Sequence, residues 1–262
     1  MKFCSITSGS SGNCQYIETE NTRILIDAGL SGKAIETNLR EIGVDPSSID
    51  AIFVTHEHTD HVKGVGVLAR RYQLEVFANA NTWLAMEGTV KKIDSSNRMT
   101  FQNDIPFFYK DLAIYPMSIF HDCVQGTGYI IEKNNKKISV LTDTGWVNTN
   151  MMEKMAGSSL YYLESNHDLQ MLENGPYPRV LKERIASNRG HLSNDHAAEL
   201  LGMLLQKKKE HVVLAHLSGE NNLPMIAART AREYLGYKNI HEGLDFILEV
   251  AKPKLNSKLI EI

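Results

Sequence analysis

Residues 51–61 read AIFVTHEHTDH, and no other stretch constrains the fold as strongly. Ala51 to Thr55 is an apolar run with the length and character of a buried strand. Val62 to Tyr72 carries the apolar spacing of a helix. The histidines and acids between them are therefore confined to the junction where a buried strand hands over to a helix. A strand of this kind needs cover on both faces, so the junction implies layers of structure.

The rest of the chain supplies elements for those layers. Lys2–Ile6, Gln15–Glu18 and Arg23–Ile26 read as short strands separated by Gly, Asn and Thr turn signals. Ser31 is placed to cap a helix over Gly32–Glu41 that stops at Gly43, and Asp45-Pro46-Ser47 is a turn. Further strands are expected at Val76–Ala78, Leu112–Ser118, Tyr129–Lys133, Lys137–Leu141, Leu160–Leu163, His211–Ala215 and Phe246–Val250, with Asn134-Asn135 as a hairpin turn. Trp83–Glu87, Trp146–Ala156, Val180–Ser187, Ser193–Gln206 and Pro224–Leu235 read as helices. There is no repeat at solenoid spacing and no Pro/Ser-rich linker. Strands first, then a mixed half ending in helices, predict one α/β (α+β) domain over residues 1–262. Its expected architecture is an αββα sandwich of two mixed β-sheets with helices on the outer faces.

The apolar fraction of 42% and charged fraction of 23% are those of an ordinary globular protein. No stretch approaches the apolar length of a membrane span, and Met1 to Asn13 lacks the apolar run of a secretory signal. The three cysteines, Cys4, Cys14 and Cys123, are odd in number and not at metal or redox spacing. Reduced thiols in the cytoplasm are the simpler expectation. A net charge of −3 argues against a protein that coats nucleic acid non-specifically, but not against a nuclease. Bound divalent ions would bring positive charge to where a phosphate sits, and the formal count omits them.

Within the junction, residues two apart point the same way in extended chain, so His56 and His58 can converge on one ion. The turn into the helix then lets Asp60 and His61 face a second position. Imidazole and carboxylate suit zinc or manganese, with iron also compatible, and two such ions clamp an in-line displacement. A merely His-rich polar loop is the alternative; three histidines and one aspartate within six residues at a strand end make it the weaker reading. Four side chains cannot complete two ions. His121 ends a strand-like run, Asp143 and His216 each follow one, and the three are the expected missing donors.

His-x-His-x-Asp-His followed in order by His121, Asp143 and His216 resembles the metallo-β-lactamase superfamily over essentially the whole chain. The resemblance implies two divalent metal ions. One would be held by His56, His58 and His121, the other by Asp60, His61 and His216, with Asp143 bridging. Asp27, in Leu25-Ile26-Asp27-Ala28-Gly29, matches an early superfamily aspartate that supports a ligand histidine; a turn aspartate after a strand has the same local sequence. Ser8 to Cys14, Thr142 to Gly145, Glu164 to Asp168, Gly190 to Asn194 and His216 to Asn222 further resemble the YycJ/WalJ (VicX) family. Its members are described as 5′-to-3′ exonucleases on double-stranded DNA, which makes DNA the implied partner.

Two bridged metals would bring water to hydroxide near neutral pH, and no Ser or Cys stands beside a base as a rival nucleophile. Asp60 and His191 are the catalytic candidates, with His191 protonating the leaving oxygen or touching a phosphate. Ser193 and Asn194 begin a helix after it, a natural anion site; a helix cap with an incidental histidine is the alternative. Ser10, Ser11 and Asn13 could form a backbone nest for phosphate, and Asn166, His167 and Asn222 are further polar candidates for substrate contact. Lys207-Lys208-Lys209 reads as a solvated helix end. A cyclic-phosphate, thioester or lactone hydrolase and a non-catalytic regulatory partner of a two-component system are the competing functions. A homo-oligomer is compatible with the sequence.

Overall fold

A computed structural model describes residues 1–262. Its strands are β1 (Lys2–Thr7), β2 (Cys14–Glu18), β3 (Arg23–Ile26), β4 (Ala51–Phe53), β5 (Glu75–Asn79), β6 (Arg98–Phe101) and β7 (Phe107–Tyr109). There follow β8 (Leu112–Ser118), β9 (Thr127–Lys133), β10 (Lys136–Leu141), β11 (Leu160–Glu164), β12 (Glu210–Ala215), β13 (Phe246–Val250) and β14 (Ile260–Glu261). The helices are α1 (Gly32–Glu41), α2 (Thr59–Val62), α3 (Val65–Tyr72), α4 (Ala80–Val90), α5 (Thr149–Met155), α6 (Leu169–Asn174), α7 (Arg179–Ile185), α8 (Asn194–Leu204) and α9 (Pro224–Tyr237). The strands form two seven-stranded mixed sheets. By contacts the chain divides into two compact units. The first is Met1–Ser118, Cys123–Thr127 and Lys252–Ile262; the second is Ile119–Asp122 and Gly128–Ala251.

In the first unit the sheet order is β14-β1-β2-β3-β4-β5-β6. β1, β2 and β3 are antiparallel, whereas β3 to β6 run parallel, so β3, β4 and β5 end at one edge. Alternate residues (Cys4 and Ile6, Ile52 and Val54, Val76 and Ala78) join one core with Ile35 and Leu39 of α1, Leu68 of α3 and Met86 of α4. The opposite face is aromatic. Phe53 and Phe77 stack at 4.5 Å, Phe107 lies 5.8 Å from Phe77, and Tyr109 meets Phe77 edge-on. With both faces of β4 covered, the apolar run expected to be a buried strand is one.

In the second unit β10, β11, β12 and β13 are parallel, with β9 antiparallel on β10. β11 is buried throughout, as is β12 apart from the half-buried His211. Ala197, Ala198, Leu201 and Leu204 of α8 are buried, as are Ala227, Ala228, Ala231 and Leu235 of α9. β10, β11 and β12 also end at a common edge, and the candidate residues of this half follow those ends.

The structure departs from the sequence expectation in definite ways. The helix expected over Val62–Tyr72 is two pieces, α2 and α3, separated at Lys63-Gly64. The Gly64 amide donates to the Ala28 carbonyl at 2.7 Å, so the break keeps that loop against the helix start. The helix expected from Trp146 begins only at Thr149, because the Asn148 side chain accepts the Met151 amide and caps it there. β6, β7, α6 and β14 were not expected: all are six residues or shorter and lack a usable period.

Candidate metal centre

The first unit builds its donor group from two strand ends. Asp27 leaves β3 with a left-handed backbone, φ 59°. Its buried carboxylate accepts the Thr55 amide at 2.8 Å, the Thr55 hydroxyl at 2.7 Å and His61 Nδ1 at 2.6 Å. Burial raises the Asp27 pKa, against the pull of His61 and Thr55. Since Thr55 spends its proton on Asp27, its oxygen accepts from His56 Nδ1 at 3.0 Å. One carboxylate thereby sets two tautomers, directly for His61 and through Thr55 for His56, and in both the lone pair falls on Nε2.

Those lone pairs have partners suited to a cation. His56 Nε2 lies 3.0 Å from His58 Nδ1, and His58 stands at the N-cap of α2. Two ring nitrogens at that distance must share a proton or a metal ion. His61 Nε2 lies 3.6 Å from Asp60 Oδ2. Asn13 ties the group down, with Nδ2 at 3.0 Å from His61 Nε2 and 3.4 Å from Asp60 Oδ2. Gly29 is required beside it: a Cβ there would sit 1.6 Å from the Asp60 carbonyl oxygen.

The second unit assembles its group around Glu164, the last residue of β11 and 0% exposed. Glu164 Oε1 receives His191 Nδ1 at 2.7 Å and His216 Nδ1 at 2.9 Å. Its Oε2 receives the Thr144 amide at 3.0 Å and the Leu192 amide at 3.3 Å. Burial alone would raise this carboxyl, but His191 and His216 hold it down at about 2. The same contact works on His191: burial opposes its charge, and Glu164 outweighs that and lifts its pKa above the ordinary imidazole value.

Asp143 and His216 follow β10 and β12 with left-handed φ of 56° and 53°. Non-glycine residues adopt this conformation at a cost of roughly 1–3 kcal/mol, and such strain gathers where side-chain aim matters. Asp143 Oδ1 lies 3.4 Å from His216 Nε2 and 3.8 Å from His121 Nε2. His121 Nδ1 donates to the Gly190 carbonyl at 3.2 Å, again leaving the lone pair on Nε2. Burial lowers the His121 pKa, which favours the neutral, ligating ring. Donor atoms of Asp143, Glu164, His191 and His216 all lie within 4.8 Å of one another. Buried carboxylates beside imidazoles with preset tautomers are the donor chemistry of a divalent ion of the zinc or manganese type.

The beta-lactamase superfamily domain profile matches residues 22–217. Exodeoxyribonuclease WalJ of Streptococcus pneumoniae serotype 2 is 40% identical over 263 residues, covering 100% of this chain and 98% of its own. Exodeoxyribonuclease YycJ of Bacillus anthracis is 36% identical over 259 residues, covering 99% and 98%. This chain is a member of the YycJ/WalJ family of the metallo-β-lactamase superfamily. The fold agrees: the metallo-β-lactamase fold protein YhfI of Bacillus subtilis superposes with a TM-score of 0.71 at 17% identity, over 98% of each chain.

Against that family background, the remaining candidates fall into two groups. Ser10 and Ser11 are exposed. Asn13, Asn166, His167, Ser193, Asn194 and Asn222 are buried, at most 5% exposed. Asn166 Nδ2 donates to the His216 carbonyl at 2.9 Å. Asn194 and Asn222 pair amide to amide, and Asn222 Nδ2 also reaches the carbonyls of Ser165 and Asn166. Ser193 caps α8 through the His196 amide, and Asp195 stands in that helix's first turn. The His167 carbonyl accepts the Asn194 amide at 2.9 Å, and burial lowers its imidazole to about 4. The side chains of Asn166, Ser193, Asn194 and Asn222 brace the loops that carry His191 and His216, whereas Asn13 holds Asp60 and His61.

His121 does not end a strand. β8 stops at Ser118, whose amide and hydroxyl are captured by the Asp104 carboxylate, and His121 lies in the loop beyond. Arg189 anchors it there, its guanidinium donating twice to the His121 carbonyl at 3.1 and 2.9 Å. Glu164 is the residue that sequence reasoning passed over. Its signal was an acid closing the otherwise apolar run Leu160–Glu164.

Proposed function

We propose that this protein is a metal-dependent exodeoxyribonuclease that degrades double-stranded DNA from 5′ to 3′, with residues 1–262 acting as one domain. The observation that carries this reading is the full-length identity to relatives named as exodeoxyribonucleases. The local charge supports it. α7 carries Arg179, Lys182 and Arg184 against the single acid Glu183 and has no buried residue, although Arg179 pairs with Glu183 and Arg184 with Asp122. Cations on an exposed helix suit a phosphate backbone better than a thioester or lactone.

On this reading His56, His58 and His121 would hold one divalent ion, Asp60, His61 and His216 would hold the other, and Asp143 would serve both. Bound there, zinc, manganese or iron would supply Lewis acidity and bring water to hydroxide near neutral pH. The chain's own residues do the rest. Asp60, steadied by Asn13, and Asp143 set negative charge among the imidazoles. His191 gives its Nε2 proton to the leaving oxygen, because Glu164 holds its Nδ1 and favours its charged form. Its side chain is 19% exposed, so solvent can return the proton. Ser10 and Ser11 offer exposed hydroxyls to a phosphate. No helix is long and apolar enough to cross a membrane, and three buried cysteines without a disulfide suit the cytoplasm.

The test is direct. Purified protein with Mn²⁺ should shorten duplex DNA labelled at either end, with loss of the 5′ label preceding loss of the 3′ label. Intact duplex alongside hydrolysis of a small cyclic phosphodiester would replace this reading with that of a small-molecule hydrolase.

A further inference from the structure

Beside the Glu164 group, the second unit contains a cavity of about 340 Å³ whose walls begin at Gly145 and Leu192. Those two positions follow Asp143-Thr144 and His191 in the chain. The Thr144 and Leu192 amides both end on Glu164 Oε2, so the carboxylate that aims His191 and His216 also fixes the lip of the cavity.

Its lining is specific in character. Trp146 lies on the wall and is 51% exposed, which is costly for so large an apolar side chain. Met152 and Met203 line the same space and offer polarisable sulfur to a flat aromatic ring. Asn148 spends its side-chain oxygen on the Met151 amide, leaving its amino group for an acceptor on a ligand. His196 adds a second polar contact. Glu199, also on the lining, repels phosphate. A planar, uncharged ring with polar edges fits these demands, and a phosphate does not.

We propose that this cavity is a base-binding subsite, in which a nucleobase of the strand being cut stacks on Trp146 while its phosphodiester lies at the His191 and Asp143 group. The inference rests on the nuclease reading for its substrate but has a test of its own. Stacking on an aromatic side chain is sequence-tolerant, so the pocket grips any base and sets where the strand end stops.

The experiment uses tryptophan emission, for which Trp83, 4% exposed, is the only other source. Deoxyadenosine monophosphate should quench the emission saturably, whereas deoxyribose phosphate should not. In Trp146→Phe the residual Trp83 emission should be insensitive to both, assigning the signal. With duplexes ending in a normal or an abasic nucleotide, Trp146→Ala should raise KM for the normal end about tenfold. The KM of the abasic end should stay near the wild-type value, and Trp146→Phe should recover most of the normal-end KM. Absent quenching, or an equal KM rise for both ends, would overturn the subsite. If duplex DNA is left intact, the nuclease reading fails, while nucleotide quenching still decides whether the cavity takes a base.

Discussion

The two donor groups share a plan and differ in how the chain delivers it. Each lies past the C-terminal ends of parallel strands, and each has one buried carboxylate that orients two histidines. Asp27 does this for His61 and, through Thr55, for His56; Glu164 does it for His191 and His216. In the first unit, however, His56, His58, Asp60 and His61 come from one continuous segment running from the end of β4 into α2. In the second, His121, Asp143, Glu164, His191 and His216 come from five separate segments. A contiguous segment carries its own geometry. A dispersed group depends on strand register and on whatever ties the strand ends together, which here is Glu164.

The largest expected effect tests whether the two groups carry unequal shares of the metal. Asp143→Ala should lower activity by about 10⁴-fold or more, on the order of several kcal/mol of metal-derived stabilisation. Metal analysis should then find less than about one ion per chain, whereas His58→Ala should keep about one. Equal metal content in the two variants would break the bridging assignment of Asp143. Next, His191→Ala should lower kcat by roughly 10²–10⁴-fold with metal content unchanged, as for a lost general acid. Parallel loss of metal would make His191 a ligand.

The third comparison sets the two organising carboxylates against each other. Glu164→Gln and Asp27→Asn should each cost roughly 10–100-fold in activity or metal affinity, with Glu164 the larger. Glu164 holds both of its histidines directly and two loop amides besides, whereas Asp27 reaches His56 only through Thr55. An equal or reversed order would show that dispersal places no extra demand on the carboxylate. The smallest effect is on stability. Gly29→Ala and Gly190→Ala should each cost about 1–3 kcal/mol, read from thermal melting, because the new Cβ would meet carbonyl oxygens. The gaps are 1.6 Å at Gly29 and 2.1 Å at Gly190. Only Gly190→Ala should also displace His121, whose Nδ1 rests on the Gly190 carbonyl.

Legibility followed the same division. The junction at residues 51–61 announced the strand, the helix start and four candidate donors, because period-two alternation and a strand end act over a few residues. Most strands and helices were readable for the same local reason, and α6, β6, β7 and β14 were too short to be. His121, Asp143 and His216 stood out only as strand-end companions of the His56–His61 cluster, and their assignment to particular ions came through resemblance, since each is a single residue after an ordinary strand or loop. Asn166, Ser193, Asn194 and Asn222 read as polar groups open to a substrate, and the structure spends them on neighbouring backbone and, for Asn194 and Asn222, on each other. A hydrogen-bond donor looks the same in sequence whether its acceptor is a ligand or a neighbouring loop.

By itself the sequence determined most of the elements, the layered class and the clustering of imidazole and carboxylate groups at His56–His61, all of which depend on neighbours along the chain. The tertiary structure decided that Glu164 is the hub of the second group, that Asp27 governs His56 as well as His61, and that Trp146 and Leu192 line one cavity. Those facts depend on which strand ends lie side by side, and strand order is set by long-range pairing that no local pattern encodes.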